Sequence, residues 1–169
     1  MTTKEVKLLK ARIKEELTNI QNLLMELNKR DLLKSEKKAN LHIEDDTFLL
    51  RAIGSIIHDF YVAVENVFEM ISREIEETTP QGADWHIRLV KQMSLEIDTV
   101  RPAVIAKDTA ILLDKFRAFR HVFRNVYGYN LDSDRLKALL EEMPAAVDAF
   151  TGDLLAFIMQ IEKAADSAD

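Results

Sequence analysis

At 169 residues, 47% hydrophobic and 31% charged, the chain has the makeup of one soluble globular domain, residues 1–169. A formal charge of −6 disfavours broad electrostatic attraction to nucleic acid, so any RNA contact has to be local. There is no cysteine, which excludes disulfides, thiolate metal sites and a cysteine nucleophile, and fits a reducing cytoplasm. A chain of this length buries about 70% of its unfolded surface and needs no staple to fold.

Four glycines and three prolines are too few for the turns of a β-rich fold. Residues 1–7 run into a charged helical pattern without an apolar signal core. The apolar runs fall short of the roughly 18 residues of a membrane span, so no membrane contact is expected.

Val6, Leu9, Ile13, Leu17, Ile20, Leu24 and Leu27 recur at spacings of three and four, which predicts one amphipathic helix over 3–31. Residues 32–46 lose that period and read as a connection. Asp45, Asp46 and Thr47 are the cap candidates for the next helix.

A second helix is predicted from about Phe48 to Glu77. Its apolar arc is Ile53, Ile56, Ile57, Phe60, Val64, Val67, Phe68, Ile71 and Ile75. Arg51, Ser55, His58, Asp59, Val62, Glu65 and Glu69 line the opposite arc. Thr78-Thr79-Pro80-Gln81-Gly82 is a turn.

Asp84 is expected to cap a third helix from Trp85 to about Thr99, ended by Arg101-Pro102. A fourth helix runs from about Asp108 to a C-terminal glycine at Gly128. A short helix follows the 130–134 loop and reaches about Glu142. Pro144 then starts or kinks a last helix to about Ala165, and the final four residues fray. No strand alternation and no internal repeat survive this reading. The expected fold class is all-α, an antiparallel bundle of about five long helices.

Residues 115–127 stand apart in charge. They carry Lys115, Arg117, Arg120 and Arg124 and no acid, so the rest of the chain sums to −6 − 4 = −10. On a helical wheel Leu112, Phe116, Phe119, Phe123 and Val126 form a core face. Arg117, Arg120, His121, Arg124 and Asn125 fill a polar arc beside it, with Tyr127 at the seam. Like charges at these spacings repel, so either acids from other helices or a bound anion must answer them. Arginine favours phosphate, because its planar fork suits bidentate oxygen contacts.

The segment Arg120-His121-Val122-Phe123-Arg124-Asn125-Val126-Tyr127 resembles the Arg-x4-His-x-Tyr signature of HepT-type ribonuclease toxins of the HEPN superfamily. Residues 50–61, Asp84-Trp85-His86 with Met93, and residues 127–132 resemble the same group, in its order. The resemblance covers about residues 48–160. It implies a helical domain that forms a two-fold dimer, with the motif helices of both subunits facing a shared cleft. It implies metal-independent cleavage of RNA, often tRNA, with no cofactor. It also implies a minimal nucleotidyltransferase antitoxin that modifies the motif tyrosine with AMP. On this chain Arg120 would hold the scissile phosphate and Tyr127 would be the modification site. Arg117, His121, Arg124, Arg51 and His58 would contact RNA in the cleft.

Asn125 stands where the family has histidine, and asparagine cannot act as a general base near neutral pH. Three readings stay open: an inactivated form of an active toxin, a member that binds without cutting, or His121 one turn back serving as base. His58 and His86 also read as partly buried, satisfied histidines, the reading preferred for His86, and Trp85 reads as a core anchor. A di-iron bundle is set aside because no Glu-x-x-His occurs. Serine-hydrolase and P-loop motifs are absent too.

Overall fold

The computed structural model describes residues 1–33, 46–124 and 131–167. Its helices are α1 (Thr3–Lys29), α2 (Thr47–Ile75), α3 (Trp85–Met93), α4 (Lys107–Phe123) and α5 (Ser133–Asp166). The described residues contain no strand, only an isolated bridge between Ile97 and Arg101.

Helix starts follow local hydrogen bonding. Thr2 and Glu5 make a capping box on α1, and Asp46 caps α2 by accepting from the Leu49 amide at 2.9 Å. Asp132 caps α5 through the amides of Asp134 and Arg135. Asp84 precedes α3 but makes no side-chain cap bond. Its φ of −100° and ψ of 20° are not the extended geometry that turns a cap side chain onto the first helical amides.

The predicted periodicities become the core. Val6, Leu9, Ile13, Ile20 and Leu27 of α1 are buried, with Leu17 and Leu24 packed at the edge. The α2 arc is buried from Ile53 to Ile71. Phe60 meets Phe116 edge-on at 5.0 Å, and Phe68 meets Phe150 at 5.7 Å.

Cross-helix pairs give the directions. Arg12 reaches Glu74 and Glu16 takes Asn66, so α1 runs antiparallel to α2, and Lys10 reaches Glu162 of α5. Phe60–Phe116 and the approach of Phe123 to Gly54 set α4 antiparallel to α2. Lys115–Glu142 and the bond from the Ala106 amide to Asp153 set α4 antiparallel to α5.

Four expectations change. The third helix stops at Met93 rather than near Thr99. The chain folds back there, and the Met93 carbonyl accepts from the amides of Val104 and Ile105. The last two predicted helices are one, with Pro144 inside α5. Buried Leu140, Met143, Ala146 and Val147 hold both sides of that proline against the core, which offsets its lost hydrogen bond. Asp166 belongs to α5 rather than to a frayed end. Finally, α2 and α5 each contain a stretch long and apolar enough to cross a membrane by length and composition. Polar residues break up the apolar runs without lowering the average enough. In the bundle 50% and 33% of those stretches are buried. The expected helix end at Gly128 lies outside the described residues.

The α3–α4 connection is fastened by Arg101, 4% exposed. Its Nε and Nη2 reach Glu76 Oε1 at 2.6 and 2.5 Å. Nη1 donates to the Leu95 and Pro102 carbonyls, and Nη2 to that of Gln92. Gln92 also donates to Glu76. Removing one partner of a buried, fully bonded pair strands the other charge. Arg101→Ala is therefore expected to lose roughly 3–5 kcal/mol in urea unfolding. Lys10→Ala, at the half-exposed pair with Glu162, is expected to lose under about 1 kcal/mol.

Candidate functional site

Helices α2, α3 and α4 pack against one another on one side of the bundle. The core face of α4 is Thr109, Leu113, Phe116 and Phe119, with Leu112 and Phe123 at its edge. Phe123 closes on α2 where there is no side chain. A Cβ on Gly54 would stand 2.8 Å from Phe123 Cε2 and 3.3 Å from Leu131 Cδ1. This contact sets the last described turn of α4 close against α2.

With its core face fixed, α4 turns its basic arc toward α3. Arg117, Arg120, His121 and Arg124 line a recess of about 260 Å³ together with Ala83 and His86. The recess thus gathers three arginines and two histidines.

Under it lies Glu65 of α2, 3% exposed. The wheel placed this residue on the polar arc, but the packing of α3 and α4 over α2 buries it. Its Oε2 takes Arg120 Nη2 at 2.8 Å, and its Oε1 bonds Nδ1 of His86. The His86 ring stacks on Trp85 with centroids 3.6 Å apart. Arg117 Nε donates to Asp114 at 2.5 Å, three residues back on the same helix. Lys115 reaches Glu142 of α5 at 2.7 Å. The repulsion read from the strip is thus met by tertiary carboxylates at Arg120 and Lys115 and by a local one at Arg117. Arg124 has no carboxylate within ion-pair distance among the described residues.

These pairs leave donors over. A guanidinium offers five N–H groups. Glu65 engages one nitrogen of Arg120, and Asp114 engages one of Arg117. The recess can therefore present forked donors to an anion while its arginines remain anchored.

The residues singled out in the sequence fall into four groups. Arg117, Arg120, His121 and Arg124 come together in the recess. His58 lies behind it, its ring 5.2 Å from that of Phe123 and its Nδ1 buried without a partner among the described residues, so it is not a satisfied histidine there. Arg51 is exposed on α2 and does not line the recess. Asn125 and Tyr127, with Val126 of the predicted core face, lie outside the described residues.

The sequence reading missed Glu65 and Asp114 as counter-ions and the place of His86 on the recess wall. Glu65 is one of several acids on a long polar arc, and spacing alone does not tell which is covered. Asp114 carried a signal, since it stands three residues before Arg117. Among the described residues no group of three or more acids or histidines is set to hold a metal ion.

Burial and charge shape two titrating groups. Burial holds His58 below its ordinary value; Asp59 opposes this, and Arg120 and Arg124 add to it. Burial, with Glu65 nearby, pushes the Tyr61 phenol up, so it stays protonated.

A family model described as HepT-like protein matches residues 52–161, more than half of the chain. The protein belongs to the HepT-like family of the HEPN superfamily. Comparisons with curated proteins and with solved structures find no match.

Arg120→Ala removes one of the two groups that hold a buried carboxylate. It is expected to destabilise by about 2–3 kcal/mol, while exposed Arg124→Ala stays within about 0.5 kcal/mol, both by urea unfolding. His58 gives a pH signature. Its folded pKa lies below its unfolded one, so above the unfolded value of about 6.5 it is neutral in both states. As pH falls through that value the unfolded chain takes up a proton first and stability drops, until the folded group also protonates. His58→Gln is expected to lose less stability than the parent between pH 7.5 and 5.5.

Proposed function

We propose that this chain is the RNA-cutting toxin of a toxin–antitoxin pair, a metal-independent endoribonuclease acting on RNA of the tRNA class. The observation that carries this reading is the recess of Arg117, Arg120, Arg124, His86 and His121 in a chain of net charge −6. Membership of the HepT-like family supports it. A cationic recess on an acidic surface is selective: it holds phosphate locally while the remaining surface repels a polyanion.

In this reading Arg120 and Arg124 meet the scissile phosphate and stabilise the charge that grows on its oxygens. Arg117 and His121 hold flanking phosphates, and His58 and Arg51 act further along the same side. Tyr127 is the site at which a nucleotidyltransferase antitoxin adds AMP. The added phosphate would bring negative charge three positions from Arg124 in the sequence and compete with RNA. The working unit is a two-fold homodimer with Arg120 near its axis, and the compartment is the cytoplasm.

Asn125 favours a second reading. The family histidine is replaced by a group that is not a base near pH 7, so the chain would be a non-catalytic HEPN module that holds RNA or a nucleotidyltransferase.

Total tRNA incubated with the parent and with Asn125→His separates the two. Cleavage by either protein supports the ribonuclease reading, and intact RNA with both defeats it. Phosphate contact predicts salt-dependent affinity for single-stranded RNA, and each lost contact lowers the slope of log K against log salt by about 0.7. Arg124→Ala is expected to show one such step in fluorescence anisotropy; an unchanged slope removes Arg124 from the interface. Light scattering at micromolar concentration is expected to give a dimer.

A further inference from the structure

Cleavage by the 2′-hydroxyl needs a group to take its proton. Two imidazoles stand on the recess wall beside the arginines, His86 from α3 and His121 from α4. His86 is held as a base would have to be held. Its Nδ1 lies on Glu65, its face on Trp85, and its side chain is 20% exposed. Its Nε2 has no partner among the described residues and is not sealed from solvent.

Arg120 lies on the other oxygen of Glu65, so the carboxylate accepts the N–H of Nδ1. That fixes the tautomer with a lone pair on Nε2 and stabilises the imidazolium formed once a proton is taken. The two oxygens of one carboxylate are adjacent. Glu65 therefore places the imidazole beside the guanidinium that meets the phosphate.

We propose that His86, positioned by Glu65, is the proton acceptor for RNA cleavage by this chain, in place of the motif histidine replaced by Asn125. The proposal rests on the ribonuclease reading above. The 2′-oxygen bonds to phosphorus and the P–O5′ bond breaks, giving a 2′,3′-cyclic phosphate end and a 5′-hydroxyl end. The 2′-hydroxyl proton passes to Nε2 of His86. The departing 5′-oxygen takes a proton from water, and the resulting hydroxide is neutralised by the imidazolium, which restores the neutral ring. The groups facing His86 are Glu65 from α2 and Arg117, Arg120, His121 and Arg124 from α4.

The test uses the full chain, total tRNA, a count of cyclic-phosphate ends and RNA affinity measured in parallel. His86→Asn keeps a nitrogen donor near the Nδ1 position for Glu65 and removes Nε2. It is expected to lose at least about 100-fold in cleavage rate with RNA affinity and melting temperature unchanged. Adding Asn125→His to His86→Asn is expected to restore cleavage, which a merely structural His86 would not permit.

Cleavage by His86→Asn at the parent rate overturns the proposal. So does a loss of RNA affinity in step with activity, or a larger loss in His121→Gln. If the parent leaves RNA intact while Asn125→His cuts it, His86 is not the base and the ribonuclease reading stands. If neither cuts, both fall together.

Discussion

Glu65 is the residue on which the described site depends. A carboxylate 3% exposed is costly to desolvate unless donors meet both oxygens. Arg120 from α4 and His86 from α3 supply those contacts. The same two bonds tie three helices together. They also fix the facing edges of the two elements that form the recess. Buried ion pairs add little net stability but penalise alternatives, because any register of α4 that moves Arg120 away leaves a naked charge.

The remaining cations follow from that anchor. Arg117 is steadied by Asp114 and Lys115 by Glu142. Arg124 is the least committed of the three recess arginines, having no carboxylate within reach among the described residues. At the far end of α4, Phe123 leans into the space that Gly54 leaves open on α2, and Leu131 packs against the same point. Helix α4 is thus held near its C-terminal end by the Arg120–Glu65 pair and the Phe123 contact.

Much of this was legible from the residues. Heptad-like spacing in α1 and α2 placed the core faces, because a buried stripe has to recur at the period of the helix. The charge strip on α4 stood out against an acidic chain, and its arginines do share one recess. Less legible was the stretch around Met93, where Arg101 draws the carbonyls of Gln92, Leu95 and Pro102 onto one side chain. A charged residue before proline reads as a breaker, and nothing local reveals that it is buried. Pro144 misled in the other direction. A proline costs a helix one hydrogen bond, and burial of the residues flanking it is enough to carry the helix through.

The amino-acid sequence by itself determined the all-α class, the core stripes, the segregation of positive charge onto one helix, and the asparagine at position 125. Each of these depends only on residue type and helical period, which are local. Tertiary structure alone decided which acid answers Arg120, that His86 shares the same carboxylate, and that Arg51 stands away from the recess. Those facts depend on how three helices meet. A carboxylate on a polar arc becomes a buried counter-ion only when other elements cover it, and no spacing within one helix records that.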